Sequence, residues 1–422
     1  MLQTQKARKR LVLHIGTEKT GTTSIQTFLT RNSSTLLHQN GILYPLHPRL
    51  FHGINHCPVA GSFLKRNACE FVSHDVLSRP EVIRETLVAE YRRKSPEVML
   101  LSSEHFSSRF REEEIFSLAD VLEPFDVRII VYVKRQDLMA ASAFSTRVRG
   151  GGREWLDLQY VHSNIFYFNL WDMLTEWSSG FEKKRISVRV FDPNMLVNQD
   201  VVSDFMALMN VKDLSRFLVV ESLNDSLTSK QARFMVEMNR YLPTWEEAVS
   251  QNRIQAYWDS NSIREKTIQT LMELPSFAEA PPISHVIPAM ARQRLVDEFT
   301  ESNNKVAEVY LSRKELFCNE ENRPLDTSHE YKTDDFRPTR ADLFDVIIST
   351  FGQIARLEPK EPGNMTDAGS VLTALQKEHE ELRQQLETIT GAWSWRLTCP
   401  FRWVKDRLLK PVAQLWNRSI RK

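Results

Sequence analysis

The sequence predicts an α/β fold, a mostly parallel sheet with helices on both faces, and three observations lead to it. Short apolar, β-compatible runs alternate with amphipathic helical stretches through the N-terminal half of the chain. The first run opens into a glycine-containing loop and then a helical segment, the layout of a phosphate-binding βα unit. Polar clusters follow the runs directly, and in such sheets ligands bind beyond the carboxyl ends of the strands.

In chain order, residues 11–15 (LVLHI) form the first expected strand, which breaks at Gly16 into a polar loop and a helix over 24–37. A helix over 79–94 precedes the second strand, 98–101 (VMLL), which ends in Ser102-Ser103-Glu104-His105. The third strand, 127–133 (VRIIVYV), ends in Lys134-Arg135-Gln136-Asp137 and runs into a helix over 136–147. Helices over 169–177 and 199–209 flank a fourth strand at 186–191. From 227 to about 316 the pattern is mainly helical. The organisation expected is one domain over 10–325, a charged, proline-containing linker region over 326–370, and a helical C-terminal extension over 371–422.

Composition narrows the partners. The 422 residues carry a net charge of +1, with 41% hydrophobic and 26% charged side chains, so no global field points to nucleic acid and none is expected as a partner. Cys57, Cys69, Cys318 and Cys399 lack metal-ligand spacing, and no metal is expected. No stretch approaches the ~18 apolar residues of a spanning helix. A reducing, cytoplasmic setting is the expectation.

The densest chemistry lies in Gly16-Thr17-Glu18-Lys19-Thr20-Gly21-Thr22-Thr23. Consecutive backbone N–H groups at a loop-to-helix junction form an anion nest, and the helix dipole adds positive potential. Gly21 lets the backbone approach a phosphate, Thr22 and Thr23 bring hydroxyls, and Lys19 brings a charge. The lysine precedes the second glycine instead of following it, so this is not a Walker A loop. The competing reading is a Gly/Thr-rich turn with a solvated lysine.

This loop resembles the 5′-phosphosulfate-binding loop of sulfotransferases that use 3′-phosphoadenosine 5′-phosphosulfate (PAPS), whose core reads roughly T-x-P-K-S/T-G-T-T. Thr17, Lys19, Thr20, Gly21, Thr22 and Thr23 fall on that pattern, and the proline is missing. The resemblance implies a P-loop-like three-layer fold, PAPS as donor and PAP as product. It implies that Lys19, Thr20, Gly21, Thr22, Thr23 and Ser24 bind the donor. The family's Arg-then-Ser pair for the 3′-phosphate corresponds to Arg135 and Ser142. Their spacing is one residue short, so Ser145 is the fallback and an Arg135–Asp137 ion pair the competing reading. The family's base, Glu or His at a strand end, corresponds to Glu104, with His105 the runner-up. Lys19, Glu104 and His105 are thus the candidate catalytic residues.

Weaker segments, 41–45, 224–227 and 302–311, resemble a bacterial, carbohydrate-directed branch, which implies a carbohydrate or lipid-linked glycan acceptor in surface polysaccharide biosynthesis. His38, His52, His56 and His74 are candidates for an acceptor cleft, or structural. The segment 394–403 resembles the C-terminal tail of bacterial surface-polysaccharide glycosyltransferases. Residues 396–422 carry eight basic side chains against Asp406, with interspersed tryptophans and leucines. That pattern suits a peripheral helix at the inner membrane face, over 393–422, or a helix docked on protein. A P-loop kinase or NTPase, and a non-catalytic scaffold of a polysaccharide assembly complex, are the rival functions.

Overall fold

A computed structural model describes residues 9–65, 72, 74–155, 161, 165–219, 226–317, 338 and 342. Five strands form one parallel sheet in the order β2-β3-β1-β4-β5: β1 (Lys9–His14), β2 (Ile42–Leu43), β3 (Val98–Ser102), β4 (Phe125–Val133) and β5 (Ile186–Val190). The α/β class is therefore the one the sequence predicts. The four expected strands are all present, and β2, a two-residue edge strand, joins them.

Near-continuous apolar strands need both faces covered, and they are. Leu11 and Leu13 of β1 face one cluster with Met99 and Leu101 of β3 and Ile129, Val131 and Val133 of β4. Helices α4 (Pro80–Lys94), α6 (Glu112–Val121), α7 (Gln136–Arg149) and α8 (Leu170–Gly180) complete it, through Ile83, Leu118, Phe144 and Trp177 among others. Val12, Leu100, Ile130 and Tyr132 point the opposite way. They meet Ile25, Phe28 and Leu29 of α1 (Thr22–Arg31), Leu36 of α2 (Ser33–Asn40) and Phe205 and Met206 of α9 (Val201–Leu208). Helix, sheet and helix make the three layers.

The single helix expected over 24–37 is two helices, and Asn32 is the reason. Its side chain donates to Phe28 O (2.9 Å) and Leu218 O (3.1 Å) and accepts from Leu218 N (2.8 Å). An asparagine amide competing with the helix's own ladder breaks it there. Towards the end of the described residues, α10 (Thr300–Leu311) is tied to the body by a reciprocal amide pair. Gln136 Nε2 donates to Asn303 Oδ1 (2.8 Å), and Asn303 Nδ2 returns a bond to Gln136 Oε1 (3.0 Å). Segment 302–311 thus packs the last described helix against α7 and α8.

The linker assignment lies almost wholly outside the described residues, and the extension over 371–422 lies outside them entirely. Of the two described residues there, Asp342 is buried and pairs with Lys230 Nζ at 2.7 Å. Among the described residues no helix is long and apolar enough to cross a membrane.

Candidate functional site

The loop after β1 is clamped to β4 before it turns. Tyr132 N donates to Gly16 O (2.7 Å), Thr17 N donates to Tyr132 O (2.8 Å), and Thr17 Oγ1 adds a second bond to the same carbonyl (3.1 Å). Thr20 Oγ1 donates to Thr17 O (2.6 Å), so that hydroxyl shapes the loop from inside. Gly21 caps α1 at φ 75°, and a Cβ there would lie 2.7 Å from Val201 Cγ1 and 3.1 Å from the Phe191 ring. Only glycine meets both demands. No side chain caps the start of α1, and no acid sits in its first turn. Its first N–H groups have no intrahelical partners, and they sit at the positive end of the helix dipole. Thr22 and Ser24 are buried in that turn, and Thr23 is half-buried.

Lys19 reaches solvent from a left-handed position, φ 63°. The crowd of protein around its ammonium holds its pKa below the ordinary lysine value; Glu18 opposes this, Arg149 adds to it, and Glu104 opposes it. Lys19 and Glu104 are thus within electrostatic reach of each other. Contact between their segments is tight, since a Cβ on Gly16 would lie 3.0 Å from both Glu104 Cα and Cβ. The Glu104 carboxylate takes a hydrogen bond from Gln26 Nε2 of α1 at 2.8 Å. His105 opens the short helix α5 (His105–Arg109), and burial pushes its pKa down to about 4, Glu18 pulling up and Arg109 down. Both candidate bases stand beside the loop.

The end of β4 carries a buried ion pair. Arg135, 6% exposed, forks onto Asp137, with Nε 2.7 Å from Oδ1 and Nη2 3.0 Å from Oδ2. The ion pair of the competing reading is present, buried rather than at the surface. Arg292 lies near enough to feel both charges. The cation that meets Ser142 is Lys134, whose Nζ donates to Ser142 Oγ at 3.1 Å and stands over the Phe191 ring, 5.6 Å from its centroid. Phe191 is the ring that also backs Gly21, so the loop and the β4 end converge on it. Ser145 is committed elsewhere, accepting from Leu227 N at 3.1 Å. One turn beyond it on α7, Arg149 approaches Lys19.

Sequence reasoning passed over Lys134, Arg149 and Gln26. Position i+7 from Ser142 on the same helix face was the available signal for Arg149, and the strand-end position was the signal for Lys134.

His56 is structural. It is fully buried, its Nε2 pairs with Pro45 O (3.1 Å), and its Nδ1 accepts from Ser102 N (3.1 Å). His38 and His52 are exposed, and the side chain of His74 lies outside the described residues. Burial pushes the pKa of His56, and of His14 in β1, down to about 3. Unfolded imidazoles bind protons below about pH 6.5, whereas these two stay neutral in the fold until about pH 3. Stability is therefore lost progressively as pH falls through that window, by up to roughly 1.4 kcal/mol per pH unit for each. Urea midpoints at pH 7 and 5 check this: His14→Phe should flatten the fall, and an unchanged slope would remove His14 from it.

No family model matches the chain. An uncharacterised protein of Archaeoglobus fulgidus is 24% identical over 221 residues, 52% of this chain and 55% of that protein, so the chain spans about half the length of that relative. A crystal structure of a sulfotransferase from Alicyclobacillus acidocaldarius superposes with a TM-score of 0.33 and 15% identity, covering 59% of this chain and 95% of that one. At that score the likeness carries no argument.

Proposed function

We propose that the chain is a sulfotransferase that moves the sulfuryl group of PAPS to a hydroxyl of a carbohydrate acceptor. The observation that carries this reading is the meeting of loop 16–23 with Glu104. An uncapped helix start, a lysine and a carboxylate share one edge of the sheet, with Gly16 packed on Glu104. In the reaction the acceptor oxygen attacks sulfur. The new O–S bond forms as the bond from sulfur to the bridging oxygen of PAP breaks, and the hydroxyl proton passes to Glu104. Lys19 faces the charge that develops on the leaving oxygen, and the first N–H groups of α1 hold the 5′-phosphate. Ser142 and Lys134 contact the 3′-phosphate, while Arg135, locked on Asp137, adds its charge from behind.

Donor choice tests this reading. PAP at a hundredfold excess over its dissociation constant should stabilise the fold by about 2.7 kcal/mol, and ATP with Mg²⁺ at the same concentration should do much less. A large shift with ATP·Mg²⁺ and none with PAP would make the loop a kinase or NTPase site. Transfer of label from PAPS to a panel of glycans then identifies the acceptor.

A further inference from the structure

We propose that Gln26 is a positioning residue: anchored by Ser102 and His14, it holds the Glu104 carboxylate in the orientation a base needs. The inference rests on the reading of Glu104 as the base and adds what aims it.

The hydrogen-bond directions are set by chemistry. Gln26, 1% exposed, places Nε2 2.8 Å from Glu104 Oε2 and 3.2 Å from Ser102 Oγ. A carboxylate only accepts, so the amide must present its NH₂ here, and both of its hydrogens are used. Ser102 Oγ then accepts from Gln26 and shares a hydrogen bond with His14 Nδ1, 2.8 Å away. His14 is fully buried in the middle of the sheet, where it stays neutral, and its register partner on β3 is Ser102 itself.

Two consequences follow. The amide fixes Oε2 of the carboxylate through a charge-assisted hydrogen bond. Gln26 also sits on α1, one turn past the N–H groups that face the donor phosphate. The base is thereby referenced to the helix that holds the donor, and not only to the end of its own strand. Lys19, Tyr44 and Cys57 are within electrostatic reach of Glu104. Burial pushes the Tyr44 and Cys57 pKa values up, that of Cys57 to about 12, so both are neutral when the carboxylate works.

The test uses the full chain with PAPS, and water as the acceptor. Gln26→Met keeps length and volume and removes the donors. It should keep the melting temperature within a few degrees and retain PAP affinity. PAP release should fall about ten- to a hundredfold, and the acid limb of its pH profile should move to higher pH. Infrared difference spectra against Glu104→Gln isolate the Glu104 carboxylate stretch, which should shift in Gln26→Met. Ser102→Ala, which leaves Gln26 but removes its anchor, should shift the stretch in the same sense by less, and it serves if Gln26→Met does not fold. An unmoved stretch and an unmoved acid limb overturn the proposal. Full PAP release by Glu104→Gln instead ends the base reading, and the stretch in Gln26→Met still decides the coupling.

Discussion

Glu104→Gln is expected to cut sulfuryl transfer by roughly 10²–10⁴-fold while leaving PAP affinity within a factor of a few. The expectation rests on where the residue sits more than on its type. The side chain leaves the end of β3 against Gly16 and accepts from Gln26, which leaves its remaining lone pairs for an incoming hydroxyl. A glutamine can still accept from Gln26 through its amide oxygen, so the fold keeps the contact and only the proton acceptor is lost. His105→Ala should cost less than tenfold, since that ring has one nitrogen sealed from solvent and is held neutral by burial. Single-turnover transfer from labelled PAPS to the identified acceptor separates the two. A larger loss in His105→Ala than in Glu104→Gln would hand the role to the histidine.

What could be read from the chain was local, and what could not was a partner across the fold. Strand, loop and helix around Gly16–Thr23 are consecutive, so the residue types of that one stretch are enough to mark a candidate anion site. The strand-end clusters are legible for the same reason. Gln26, by contrast, is one polar residue in an amphipathic helix until the sheet brings Glu104, 78 residues away, against it. His14 looks like an interruption of an apolar strand until the register sets it beside Ser102. Ser145 gains its partner from Leu227, 82 residues on. Arg135 is the opposite case: its partner stands two residues away, yet whether Asp137 or a phosphate takes the guanidinium depends on burial, which spacing does not encode.

That pair gives the second large effect. Arg135 and Asp137 have 7% and 0% of their side chains exposed, and breaking a buried pair from one side leaves a charge that has lost its bidentate counter-ion away from bulk water. Asp137→Ala should destabilise by about 3–5 kcal/mol, with Arg292 worsening the cost because a second guanidinium then faces Arg135 across the gap. Arg135→Ala should cost less, since Arg292 remains to oppose the orphaned carboxylate. Replacing both with apolar residues, Arg135→Met with Asp137→Leu, should recover much of the loss, which makes the pair strongly non-additive in a double-mutant cycle. Ligand discrimination separates this structural role from phosphate contact. Ser142→Ala and Lys134→Ala should weaken PAP more than adenosine 5′-phosphosulfate, which lacks the 3′-phosphate, with little change in the urea midpoint. Arg135→Ala should do the reverse, with a large drop in midpoint and, at temperatures where it is folded, a smaller selective loss of PAP. An Arg135→Ala protein of normal stability that loses PAP selectively would return the arginine to the phosphate and make its bond to Asp137 incidental.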